Sequence, residues 1–154
     1  KTLKLPVIFL GSNNDAGSNA VGYTVREWIK NRQLDQVFFT KHLPPDDFYR
    51  VLAKAACAIG NSSSFIREGA YLGTPVVLVG SRQKNRERGY NVAEVESSAN
   101  DIKTAVEKQL NSGRYVSDSR FGEGTAGREI ADILAKVNLS VQKSFHEFLP
   151  AHAI

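Results

Sequence analysis

The run from Leu5 to Leu10 is apolar and ends in Gly11-Ser12-Asn13-Asn14-Asp15, which predicts a buried strand followed by a turn. Val21, Val25, Trp28 and Ile29 then recur at the spacing of one helix face. Gln36 to Thr40, which contains Val37-Phe38-Phe39, predicts a second strand. Pro44-Pro45-Asp46-Asp47 opens the next helix, with prolines where a missing amide costs little and acids where the helix dipole favours them. The expected buried face of that helix is Phe48, Val51, Leu52 and Ala55. A strand over Ala56 to Ile59, the polar link Gly60-Asn61-Ser62-Ser63-Ser64, a helix from about Phe65 to Gly73 and a strand over Val76 to Val79 follow. Val92 to Val95 predicts a further strand, and Ile102, Ala105, Val106 and Leu110 a further helix. Asn111 to Gly124 reads as loop, Ile130, Ile133, Leu134 and Val137 as a helix, and Leu139 to Phe148 as a last one.

Strands alternating with helices predict an α/β fold, a Rossmann-like parallel sheet with helices on both faces. Such sheets bind ligands at the carboxyl ends of their strands. That rim would carry the loops Gly11 to Gly17, Lys41 to Pro44, Gly60 to Ser64 and Gly80 to Gly89. The expected organisation is one domain over residues 1–138 and a tail over 139–154.

Composition narrows the class. At 154 residues, with 42% hydrophobic and 23% charged positions, the chain has the make-up of one folded globular domain. Cys57 is the sole cysteine, which excludes an intrachain disulfide and a cysteine-rich zinc site. No apolar run approaches the roughly 20 residues of a membrane span, and the start lacks a signal-peptide pattern. The chain begins at Lys1 and contains no methionine, so it is expected to be part of a longer protein. Net charge is +4, and the densest cationic run is Arg82, Lys84, Arg86 and Arg88. Nucleic acid is a poor fit to that run, because only Tyr90 stands near it to stack on a base.

The strongest chemical signal is Gly60 to Ser64, which joins a strand to a helix. A helix N-terminus offers unsatisfied N–H groups and about half a positive charge, a ready phosphate site. The plainer reading is an N-cap, but one cap needs one such side chain and here four stand in a row. Glu68, six residues after Ser62, lies within reach of a ligand held there and can accept from ribose hydroxyls; its plainer role is solvation or pairing with Arg67. Arg82 follows a strand at the same rim, where its guanidinium can fork onto phosphate oxygens. His42, after the second strand, is either a surface histidine or one that touches a base or moves a proton. Neither a His/Asp/Glu set with metal-ligand spacing nor a nucleophile elbow is found, and the residues alone reach a phosphate-and-ribose site without naming the ligand.

The block GNSSSFIREGAYLGTPVVLVGSRQKNRERGYNV, Gly60 to Val92, closely resembles the C-terminal half of UDP-N-acetylglucosamine 2-epimerases, above all the hydrolysing branch. SNNDAGS at Ser12 to Ser18, KHLP at Lys41 to Pro44 and FGEGTAG at Phe121 to Gly127 add to the resemblance, which extends to about Val137. It implies the C-terminal half of a glycosyltransferase-B-like enzyme, with UDP-sugar in the cleft between two Rossmann-like domains. The implied chemistry is elimination of UDP from UDP-GlcNAc, then hydration of the glucal to N-acetylmannosamine, a step toward sialic acids. By position, Ser62 and Ser63 would hold the diphosphate, Glu68 the ribose and Arg82 the phosphates, with His42 and Asn13 around the nucleoside. The family's catalytic acids lie in the N-terminal domain, so this chain alone is expected to bind UDP without turning over the sugar nucleotide. Phe65 departs from the small residue common at that position. The resemblance also implies a cytoplasmic homodimer that works without metal or cofactor. Two other readings are a glycosyltransferase donor domain and a nucleotide-binding module without chemistry.

Overall fold

A computed structural model describes residues 5–11, 18–32, 34–138 and 142. The elements alternate as β1 (Val7–Leu10), α1 (Ser18–Arg32), β2 (Val37–Thr40), α2 (Pro45–Lys54), β3 (Ala58–Gly60), α3 (Ser63–Leu72), β4 (Val76–Val79), β5 (Val92–Val95), α4 (Ala99–Ser112) and α5 (Ala126–Leu134). The expected tail helix over Leu139 to Phe148 lies outside the described residues. No described helix is long and apolar enough to cross a membrane. Packing groups the chain into two units, Lys1–Asp118 and Ser119–Ile154.

Every strand pair is parallel, as the alternation of strand and helix predicts. The described hydrogen bonds sort the strands into two sheets, β1-β2 and β3-β4-β5, where the alternation alone predicts one. Apolar runs predict which residues extend, but carry little information about which extended segments become neighbours. In the smaller sheet Phe9 stacks on Phe39 with ring centroids 5.9 Å apart, and the Arg26 guanidinium of α1 lies over Phe39.

The core lies around β4, where Val76, Val77 and Leu78 have no exposed surface. Consecutive strand residues point to opposite faces. Val76 faces Gly69 of α3, where a Cβ would come within 3.3 Å of the Val76 Cγ2. Val77 packs with Ala105 and Val106 of α4. Helices therefore cover both faces of the larger sheet. Polar bonds lock the layers together: buried Gln109 of α4 donates from Nε2 to the carbonyls of Val76 at 2.8 Å and Asn91 at 3.0 Å, and accepts from the Tyr115 hydroxyl at 2.7 Å. Thr74 donates to the Leu52 carbonyl at 2.8 Å and so ties α2 to the α3–β4 turn.

The carboxyl end of α3 is closed by a segment that reads from sequence as plain loop. Gly73, at φ 64°, forms the left-handed cap. Beyond it Arg114 Nη2 donates to the Leu72 carbonyl at 2.7 Å and Tyr115 N to Gly73 at 2.9 Å. Ser117 Oγ donates to Tyr71 at 2.6 Å, and Asp118 N to Ala70 at 3.0 Å. The strap lies so close that a Cβ on Gly73 would sit 2.1 Å from the Tyr115 oxygen. In the second unit α5 is a short amphipathic helix in which Thr125 Oγ1 donates to Glu129 Oε1 at 2.6 Å.

Gly73→Ala meets both the left-handed backbone and the strap, and should cost about 2 kcal/mol, a melting temperature lower by roughly 4–8 °C. Gly127→Ala, in α5 with open space around it, should leave the melting temperature the same or raise it. Burial pushes the Cys57 thiol up to about 11 against a counteracting bond with the Val77 backbone. Between pH 9 and 11 the unfolded thiol ionises while the folded one keeps its proton, so stability falls as pH rises through that window. Denaturant midpoints should fall less steeply from pH 9 to 11 in Cys57→Ala than in the natural chain.

Candidate functional site

Gly60 of β3 stands in register with Leu78 of β4, so the loops that follow these parallel strands leave the sheet side by side at one carboxyl edge. The first turns sharply into α3. Gly60 adopts φ 151°, a region that glycine enters freely, and a Cβ there would approach Phe65 to 3.2 Å. Phe65 therefore packs back on the glycine that opens the turn.

Ser62 is the N-cap of α3, with extended backbone at φ −75° and ψ 138°, and its Oγ accepts from Ser64 N at 3.3 Å. The helix starts at Ser63, two residues before the expected position, because the cap reaches two residues forward and brings both following serines into the first turn. The Ser62 hydroxyl accepts from the backbone and still has a proton to donate outward. Ser63 N–H, the first helical amide, has no intrahelical acceptor. Ser62, Ser63 and Ser64 are half-buried. The N-cap and the phosphate readings are thus compatible, since the cap uses only one lone pair of the array.

Glu68 lies on the same face as Ser64, one turn further into α3 and about 6 Å along its axis. Its Oε2 is buried and receives no hydrogen bond from any described residue. A buried carboxylate oxygen without a donor is costly. Pairing with Arg67 is not what fills this oxygen.

The second loop, after β4, carries the cations. It is folded into successive turns, with Lys84 N donating to Ser81 at 3.0 Å and Arg86 N to Gln83 at 3.2 Å. Arg88 is engaged in an ion pair with Glu94. Arg82, Lys84 and Arg86 are exposed. The two loops are joined by Gln83, which sequence reasoning missed: its Nε2 donates to the Asn61 carbonyl at 2.8 Å across 22 residues of chain. That bond brings Arg82 to the edge occupied by Ser62. No local pattern marks it out, since Asn85, a second amide in the same basic run, is exposed.

His42 lies at the carboxyl end of β2, in the other sheet, and is exposed; Thr40 Oγ1 donates to its carbonyl at 2.9 Å. Asn13 lies outside the described residues. The structure therefore unites Ser62, Ser63, Glu68 and the Arg82 loop on the larger sheet.

Fold and site together define a parallel α/β domain in which the Ser62-capped start of α3 lies one turn from a carboxylate with one buried oxygen. Residues 1–135 match the family model described as UDP-N-acetylglucosamine 2-epimerase, and the chain belongs to that family. It is 33% identical over 138 residues to a UDP-N,N'-diacetylbacillosamine 2-epimerase (hydrolyzing) of Legionella pneumophila, covering 90% of this chain and 36% of that protein. It is 28% identical over 145 residues to a UDP-N-acetylglucosamine 2-epimerase of Neisseria meningitidis, covering 90% and 37%. A polysialic acid biosynthesis protein P7 of Escherichia coli is 33% identical over 140 residues, covering 85% and 35%. The chain thus spans a little over a third of the length of these relatives.

Removal of the cap hydroxyl alone has a defined effect on folding. Ser62→Ala should lower unfolding free energy by about 1 kcal/mol, and Ser62→Asn should recover most of it, in denaturant titrations without ligand.

Proposed function

We propose that this chain is the UDP-binding, C-terminal part of a hydrolysing 2-epimerase that converts UDP-GlcNAc, or a related acetamido sugar nucleotide, to the free 2-epimeric sugar and UDP. The observation that carries the reading is the buried, donorless Oε2 of Glu68, placed on the same face of α3 as Ser64. A ribose supplies the hydroxyl donors this oxygen lacks, and a diphosphate attached to that ribose reaches the helix start one turn away. In this reading Ser62 and Ser63 receive the diphosphate through hydroxyl and amide, Arg82 supports it, and His42 and Asn13 border the nucleoside.

The proposed reaction removes the C2 proton of the sugar while the bond from C1 to the diphosphate oxygen breaks. UDP leaves with the electron pair and a 2-acetamidoglucal remains. Water then adds across the double bond, hydroxyl to C1 and a proton to C2 on the opposite face, giving the 2-epimer. The residues of this chain act on the leaving group. Charge that builds on the departing diphosphate falls on the amide end of α3, a fixed array that needs no reorganisation, and on Arg82. The same groups neutralise the diphosphate without calling for a metal ion. In this reading the proton-transferring acids come from the N-terminal part of the full-length protein, as the family resemblance implies. A nucleotide-sugar substrate places the protein in the cytoplasm, and a second copy of the full-length protein is its expected partner.

Calorimetric titration with UDP, UMP and GDP tests the reading. UDP should bind more tightly than either, and Ser62→Ala and Glu68→Ala should each weaken UDP about tenfold, which is ~1.4 kcal/mol of binding free energy apiece. Glu68→Gln keeps one acceptor and should weaken it less. No preference for UDP in the folded chain would sink the assignment. The 154 residues alone should release no N-acetylmannosamine from UDP-GlcNAc above background.

A further inference from the structure

We propose that Gln83 is a positioning residue of the phosphate site, a strut that holds the Asn61–Ser62 peptide so that its N–H joins the amides at the start of α3. The proposal rests on the reading of that helix end as a phosphate site.

Gln83 is only 4% exposed, although Arg82, Lys84, Asn85, Arg86 and Glu87 around it are all exposed. One amide has been drawn out of a basic loop into the protein. Its Nε2 donates to the Asn61 carbonyl at 2.8 Å. A carbonyl only accepts, so this bond fixes which end of the amide is nitrogen. The peptide unit is planar and trans, with its C=O and N–H pointing in opposite directions. Holding the Asn61 oxygen toward Gln83 turns Ser62 N–H away from it. That N–H has no acceptor among the described residues. The peptide needs a tether, because Gly60 just before it has the wide backbone freedom of glycine.

The other end of the same amide points to a ligand independently. Gln83 Oε1 is buried and has no donor among the described residues. It lies about 2.2 Å from its own Nε2, and so within about 5 Å of the Asn61 oxygen. A buried acceptor left open at this place is satisfied by a hydroxyl or N–H brought by the ligand. A sugar-bearing diphosphate offers such a donor beside its anionic oxygens. Gln83 thereby links the serine loop, the basic loop and the ligand.

The test is the affinity of the 154-residue chain and its variants for three probes: UDP, inorganic pyrophosphate and uridine. Gln83→Met keeps the length and bulk but loses the donor. It should weaken UDP and pyrophosphate tenfold or more and leave uridine within twofold, because the strut acts through the phosphate loop. Gln83→Glu provides a second arm: its protonated carboxyl can donate to the Asn61 carbonyl and its carboxylate cannot. UDP affinity of this variant should rise as the pH falls from 7 to 5, while that of the natural chain does not. A folded Gln83→Met chain that binds UDP and pyrophosphate within twofold of the natural one overturns the inference. So does equal weakening of all three probes, which is the mark of general damage. If the natural chain binds UDP, either result removes the strut and leaves the site. If it binds neither UDP nor pyrophosphate, site and strut fall together.

Discussion

The contact on which the rest depends is the close packing of α3 against β4, made where Gly69 faces Val76. With no side chain on Gly69 the helix lies tight on the fully buried strand, and that fixes where its first turn falls relative to the strand ends. That placement sets where the Gly60 turn, the Ser62 cap and the Glu68 carboxylate lie relative to the strand ends. A helix displaced by one turn would slide by about 5.4 Å and carry the serines away from the rim.

The two ends of α3 are treated differently. Its carboxyl end is crowded, with the carbonyls of Ala70, Tyr71, Leu72 and Gly73 taken by the strap from Arg114 to Asp118. Its amino end is held by one short cap and a neighbouring loop. The exposed N–H groups and the positive end of the dipole therefore collect at the rim, where an anion can reach them. Of the three buried side-chain oxygens without a donor among the described residues, those of Glu68 and Gln83 belong to α3 and to the loop bonded to its first turn, and the third is Asn91 Oδ1. Two buried acceptors left open beside that rim support the proposal that a ligand binds there.

Much of this is legible in the sequence, and the parts that are not share a cause. Apolar period identifies β4, α2 and α4, since Val76 to Val79 and the Ala105-Val106 face are driven by burial. Ser62, Ser63 and Glu68 stand out because caps and dipoles act over one or two turns, within the reach of local reasoning. Long-range polar bonds do not. Gln83 reaches Asn61 across 22 residues, Gln109 reaches Val76 across 33, and Arg114 reaches Leu72 across 42; no spacing rule encodes them. Strand neighbours are hidden for the same reason. Apolar spacing puts the start of α3 two residues late, at Phe65, whereas the cap begins the helix at Ser63.

The amino end of α3 is proposed to hold a uridine diphosphate. The most direct measurement is the backbone amide spectrum of the isotope-labelled chain during titration with UDP. The amides of Ser62, Ser63 and Ser64 should shift most, with Gln83 and Glu68 following at the same midpoint. The strap residues Arg114 to Ser117, at the other end of the helix, should stay still. Saturable shifts centred on any other surface, with the three serine amides unmoved, would contradict it.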